Sequence, residues 1–137
     1  MNAQPATDAP LVLATKRIVD EWNPAAVLVF GSRAKGRESP GSDYDIAILI
    51  AGPAPGWESV RRLQLDLEET LGAEVDLVIL DDASPILAMQ VLRDGRALVC
   101  RDPQALENFT VATLTDYADL KIVRAPIERR LMELRKS

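Results

Sequence analysis

A chain of 137 residues suits one domain with a single substantial core, and 47% hydrophobic against 27% charged residues matches the globular average, which excludes disorder. The net charge of −5 argues against a general nucleic-acid binder. No histidine is present, which removes Ser-His-Asp and Cys-His catalysis, histidine bases and histidine metal ligands, so any acid–base or metal chemistry rests on carboxylates.

One domain over residues 1–137 is expected, with residues 1–8 a loose polar terminus. Met1 to Pro5 lack the basic start and apolar stretch of a signal peptide. No later run approaches the roughly 18–20 apolar residues of a membrane span, so a cytoplasmic protein is expected. From Pro10 to Trp22, Leu11, Val12, Ile18, Val19 and Trp22 recur at helical spacing, and Asn23-Pro24 stops this first helix. Ala26 to Phe30 reads as a buried strand ending at Gly31-Ser32, which opens a short helix. Ser42 to Ile50 reads as a second strand, and Gly52 to Gly56 is a loop rich in breakers. Trp57 to Leu71 places Val60, Leu63, Leu67 and Leu71 on one helical face, with Gly72 as its stop.

Glu74 to Leu80 is a third strand. Ser84-Pro85 starts a third helix, Asp94-Gly95 closes it, and Arg96 to Cys100 forms a short edge strand. Cys100, the only cysteine, reads as a small buried hydrophobe. After Asp102-Pro103 a helical C-terminal segment, 103–137, runs towards Arg124, and Pro126 restarts or kinks it before a stripe of Ile127, Leu131 and Leu134. Residues 121–137 hold six cations and two anions, a net +4 that leaves −9 on the preceding 120. Such a tail is a solvated helix face or a docking surface for an acidic partner. Strands alternating with helices predict an α/β (α+β) domain with a small mixed sheet.

The chemistry concentrates in Gly31-Ser32-Arg33-Ala34-Lys35-Gly36 and in Ser42-Asp43-Tyr44-Asp45-Ile46. Two residues apart on a strand, Asp43 and Asp45 leave by the same face. Two such charges about 4 Å apart repel by roughly 4 kcal/mol at an effective dielectric near 20, a cost that a divalent cation reverses. Asp76 interrupts a second apolar strand, Val75 to Ile79, and joins the patch if the two strands are neighbours. Oxygen-only ligands of this kind suit Mg²⁺. Taken singly, Asp43 is also a turn residue and Asp76 a strand-start residue; the combination favours the site. Glycine at 31 lets the backbone approach a phosphate, and Ser32 and Arg33 can meet its oxygens. Lys35 and Arg37 read as solvated.

Gly31-Ser32, ten residues, then Asp43-x-Asp45 resembles the signature of the DNA polymerase β-type nucleotidyltransferase superfamily. The short length and both motifs are most similar to its minimal members, the single-domain MNT or MntA antitoxins, over roughly residues 10–135. Val75-Asp76-Leu77-Val78, Val91 to Gly95 and Tyr117 to Lys121 share the likeness. The resemblance implies a palm-type nucleotidyltransferase fold. It implies two Mg²⁺ ions held by Asp43, Asp45 and Asp76, and a triphosphate gripped at Gly31 and Ser32. It further implies transfer of AMP from ATP to a hydroxyl, with Asp76 helping to deprotonate the acceptor. The implied partner is a HEPN-domain ribonuclease toxin modified on tyrosine, in a homo- or hetero-oligomer. Nucleic-acid and membrane binding are not expected. Two alternatives stand beside this. One is a small-molecule nucleotidyltransferase, for which no second domain is left to form an acceptor pocket. The other is a module that neutralises its partner by contact alone.

Overall fold

The computed structural model describes residues 8–34 and 43–136, with side chains for all of these except Ser32 and residues 121–136. Helix α1 (Ala9–Trp22) begins where the Asp8 carboxylate accepts the Leu11 N–H at 3.2 Å and Pro10 occupies the first turn. It ends at Asn23 in the left-handed region, φ 47°, with the Asn23 N–H donating to the Val19 carbonyl. Strand β1 (Ala26–Phe30) is buried at all five positions, as a continuous apolar run demands of a central strand. A 3-10 turn over Gly31–Arg33 follows.

Strand β2 (Tyr44–Leu49) lies antiparallel to β1, and helix α2 (Trp57–Leu71) carries the chain across to β3 (Val75–Ile79), which runs parallel to β2. Gly72 closes α2 at φ 65°. After a 3-10 turn at Leu80–Asp82, the Ser84 hydroxyl caps α3 (Pro85–Asp94) by accepting the Leu87 N–H. Strand β4 (Arg96–Cys100) then pairs antiparallel with β1 at the sheet edge, and α4 (Pro103–Lys136) ends the described chain. The sheet order is β3-β2-β1-β4.

Helices cover both sheet faces. Leu11, Ala14 and Ile18 of α1 and Leu63 and Leu67 of α2 pack with Val27, Val29, Tyr44, Ile46, Ile48 and Val75. On the other face, Ala88 and Val91 of α3 and Leu106 of α4 pack with Ala26, Leu28, Phe30, Ala47 and Leu49. The mixed sheet between helical layers is the predicted α/β class. Among the described residues, no helix is long and apolar enough to cross a membrane.

Two expectations change. Strand β2 stops at Leu49 because the Ile50 and Ala51 N–H groups donate, each at 2.8 Å, to the two carboxylate oxygens of Asp81, and Ala51 turns into the left-handed region at φ 59°. Helix α4 continues through Pro126 instead of restarting there; an interior proline forfeits one backbone donor but need not end a helix. The β-branched stretch early in α4 is accommodated as Thr110 and Thr115 donate their hydroxyls to the carbonyls of Leu106 and Val111. The stripe at Ile127, Leu131 and Leu134 lies outside the described side chains.

Candidate active site

The site forms where β1 ends and where β2 and β3 begin. Phe30 and Asp45 are register partners across the β1–β2 pair, so the next residue, Gly31, comes up beside the Asp45 side chain. A β-carbon on Gly31 would stand 2.2 Å from Asp45 Oδ2 and 3.2 Å from its Cγ, and Gly31 also holds φ 69°. Two separate constraints therefore require glycine: a left-handed backbone and contact with a carboxylate.

Asp45 and Asp76 are register partners in the parallel β2–β3 pair. Strand alternation sends Tyr44, Ile46 and Ile48 into the α1–α2 layer and Ala47 and Leu49 into the α3–α4 layer. Asp45 therefore projects on the α3–α4 face. On β3, Val75, Leu77 and Ile79 pack with the α1–α2 layer and Val78 with the other, which puts Asp76 on the same face as Asp45. Adjacent strands lie about 4.8 Å apart, so two carboxylates meet side by side. The Asp45 carboxyl is pushed above its ordinary value, first by loss of water and then by the charges of Asp76 and Asp43.

Asp43 stands one residue before β2 and is exposed, like Asp76, whereas Asp45 is half-buried. Among the described residues, no group of three or more carboxylate, cysteine or histidine side chains is disposed to enclose a metal by itself. Asp45 and Asp76 are a register pair, and the charges of both Asp76 and Asp43 act on Asp45. The donor set still fits a hard divalent cation of the Mg²⁺ kind, which takes one or two carboxylates and fills its shell with phosphate and water.

The Arg33 guanidinium lies over the Tyr44 ring, 3.8 Å from its centroid, and Ala34 packs against the α1–α2 core. Arg33 therefore reaches the face of β2 opposite to Asp45. The Tyr44 hydroxyl donates to Asp8 Oδ2 at 3.2 Å, while Asp8 Oδ1 caps α1. Sequence reasoning missed Asp8, assigning it to a loose terminus. The signal was present, an aspartate directly before Ala9-Pro10. The Ser32 side chain and residues Lys35, Gly36, Arg37 and Ser42 lie outside the description.

Comparison with known proteins now adds to this geometry. The family model described as Polymerase beta, Nucleotidyltransferase matches residues 14–104. The protein adenylyltransferase MntA of Shewanella oneidensis is 35% identical over 104 residues, covering 74% of this chain and 71% of the relative. A crystal structure of a toxin–antitoxin with AMP-PNP superposes with a TM-score of 0.76 at 30% identity, over 88% of this chain and 97% of the other. A structure of the tri-AMPylated S. oneidensis HEPN toxin in complex with MNT antitoxin gives a TM-score of 0.69 at 28% identity, over 88% and 97% of the two chains.

Proposed function

The chain belongs to the polymerase beta nucleotidyltransferase family, and from that premise we propose that it is a Mg²⁺-dependent protein adenylyltransferase. It transfers AMP from ATP to a tyrosine hydroxyl of a cognate HEPN ribonuclease toxin in the cytoplasm, as the antitoxin of the pair. One observation carries the reading: the Asp45–Asp76 register pair set against Gly31, whose missing β-carbon leaves room for the Asp45 carboxylate. The S. oneidensis relative named protein adenylyltransferase MntA and the tri-AMPylated toxin complex support the acceptor class.

Asp43, Asp45 and Asp76 would hold the metal, and two Mg²⁺ ions would supply charge stabilisation to the entering and departing oxygens. Gly31 brings its backbone close to the triphosphate, and Ser32 holds the β- and γ-phosphates. Asp76, exposed at the start of β3, takes the proton from the acceptor hydroxyl. The absence of histidine and the register pairing of Asp76 with Asp45 support Asp76 as this base. The bond from the tyrosine oxygen to the α-phosphorus forms as the bond to pyrophosphate breaks.

The test is the mass of the toxin after incubation with this protein, ATP and Mg²⁺. Each transfer adds one AMP unit on tyrosine, and excess chelator stops it. Transfer that persists in chelator rules out the metal-dependent reading. A toxin that stays unmodified yet is neutralised by Asp43→Asn protein establishes neutralisation by contact alone.

A further inference from the structure

Tyr44 stands between the two motif aspartates in sequence, yet its side chain leaves β2 by the opposite face and is 4% exposed. Its ring bears the Arg33 guanidinium at 3.8 Å, and its hydroxyl donates to Asp8 at 3.2 Å. Asp8 in turn caps α1, whose Leu11, Ala14 and Ile18 are buried in the core of that face. The 3-10 turn Gly31–Arg33 thus straddles the start of β2. Gly31 touches Asp45 on one side, and Arg33 grips Tyr44 on the other.

A turn held at both ends cannot swing away from the strand it caps. Gly31, in the left-handed region and without a side chain, meets Asp45 through its backbone alone, so a second anchor on the turn matters. We propose that Arg33 and Tyr44 form a positioning clamp that fixes the Gly31–Arg33 turn against Asp45, so that Arg33 serves the site through stacking on Tyr44 and not as a ligand of the triphosphate. A planar guanidinium suits this role, since it stacks on an aromatic face where an ammonium would stay hydrated. The proposal rests on the nucleotide-transfer reading of the site and concerns which residues shape it.

The experiment compares Tyr44→Leu, Tyr44→Phe, Arg33→Leu, Arg33→Lys and the Tyr44→Leu/Arg33→Leu double variant in the full-length protein. Two quantities are read: amide hydrogen exchange at residues 31–34, and kcat and KM for ATP in transfer to the toxin. Loss of the clamp speeds exchange at these amides about tenfold, with core amides unchanged. It also lowers kcat about tenfold at nearly constant KM, because a small misplacement of the turn costs rate. The double variant is no worse than either single one, since both remove the same contact. Tyr44→Phe keeps the ring and recovers most of the loss, whereas Arg33→Lys keeps the charge and does not.

The clamp is overturned if Arg33→Leu raises KM for ATP, Arg33→Lys restores it and Tyr44→Leu leaves it alone, the pattern of a phosphate ligand. Unchanged exchange at residues 31–34 in Arg33→Leu overturns it equally, and that readout remains if Tyr44→Leu does not fold. A wild-type protein that transfers no nucleotide defeats the functional reading instead, and exchange still decides the clamp.

Discussion

At the scale of single residues, the site is built from conflicts that a core would not tolerate. Asp45 lies half-buried between an apolar strand and a second carboxylate, and its carboxyl is pushed up by lost hydration before the charges of Asp76 and Asp43 are added. A raised value means that the folded state takes up the proton more readily than the unfolded chain. Asp45 therefore favours folding below the ordinary carboxylate value of 3.8 and loses that contribution as pH rises through its raised value. Asp45→Asn should accordingly raise the melting temperature of the metal-free protein at neutral pH, with the gain vanishing as pH falls below that ordinary value. Added Mg²⁺ should raise the melting temperature of wild type but not of Asp45→Asn. A variant less stable than wild type at pH 7 would mean that the carboxylate holds the strands together, and the electrostatic account would fail. Gly31→Ala is a complementary probe. Its new methyl meets Asp45 Oδ2, a side-chain tip that can rotate, so folding suffers mainly from the left-handed backbone, by about 1–2 kcal/mol. Nucleotide transfer should drop at least 100-fold as the carboxylate is displaced. Near-normal rates for Gly31→Ala would show that this contact does not shape the site.

At the scale of elements, what the sequence revealed depended on whether the cause was local. Helix α2 closes at Gly72 and helix α3 opens at Ser84-Pro85, both as expected, because caps and breakers are written where they act. The two-residue spacing of Asp43 and Asp45 and the lone Asp76 in its apolar strand were equally legible. That β2 and β3 are neighbours, as the matching carboxylates implied, holds; their parallel sense and the placing of Asp45 opposite Asp76 were not legible, since register depends on how the whole chain packs. The end of β2 makes the same point. It is set by Asp81, about thirty residues downstream, whose carboxylate takes the N–H groups of Ile50 and Ala51. Nothing in the β2 sequence announces that partner. At α4 the local signal, Pro126, allowed either a restart or a kink, and the helix runs through it without restarting. The Asp81 bonds also fix where β2 leaves the sheet. Asp81→Ala should cost about 1–2 kcal/mol in denaturant unfolding, the value of charge-assisted bonds that water partly replaces. A loss below about 0.5 kcal/mol, typical of an ordinary surface substitution, would show that the strand end holds without it.

At the scale of the whole molecule, charge and shape divide the chain into two parts. The first 120 residues carry −9 and contain every element of the sheet and the site, while residues 121–137 carry +4, and 121–136 of these end one long helix. Among the described side chains of α4, Leu106 and Thr113 are buried, and beyond them Leu114 is 51% exposed. With a rise of about 1.5 Å per residue, the helix from Thr113 to Lys136 adds roughly 35 Å. Under the proposed function, a basic helix attached to an acidic domain would give a protein substrate a point of attachment separate from the hydroxyl to be modified. Reversing charge at Arg129 and Arg130, both to glutamate, should therefore weaken toxin binding about tenfold at low ionic strength. The difference should shrink towards 1 M salt, where the screening length falls to about 3 Å. Calorimetric titration at two salt concentrations measures this, and kcat at saturating toxin should stay at the wild-type value because the carboxylates are untouched. Equal affinity of the two proteins at low salt would remove the basic helix from the interface and leave the chemistry of Asp43, Asp45 and Asp76 standing on its own evidence.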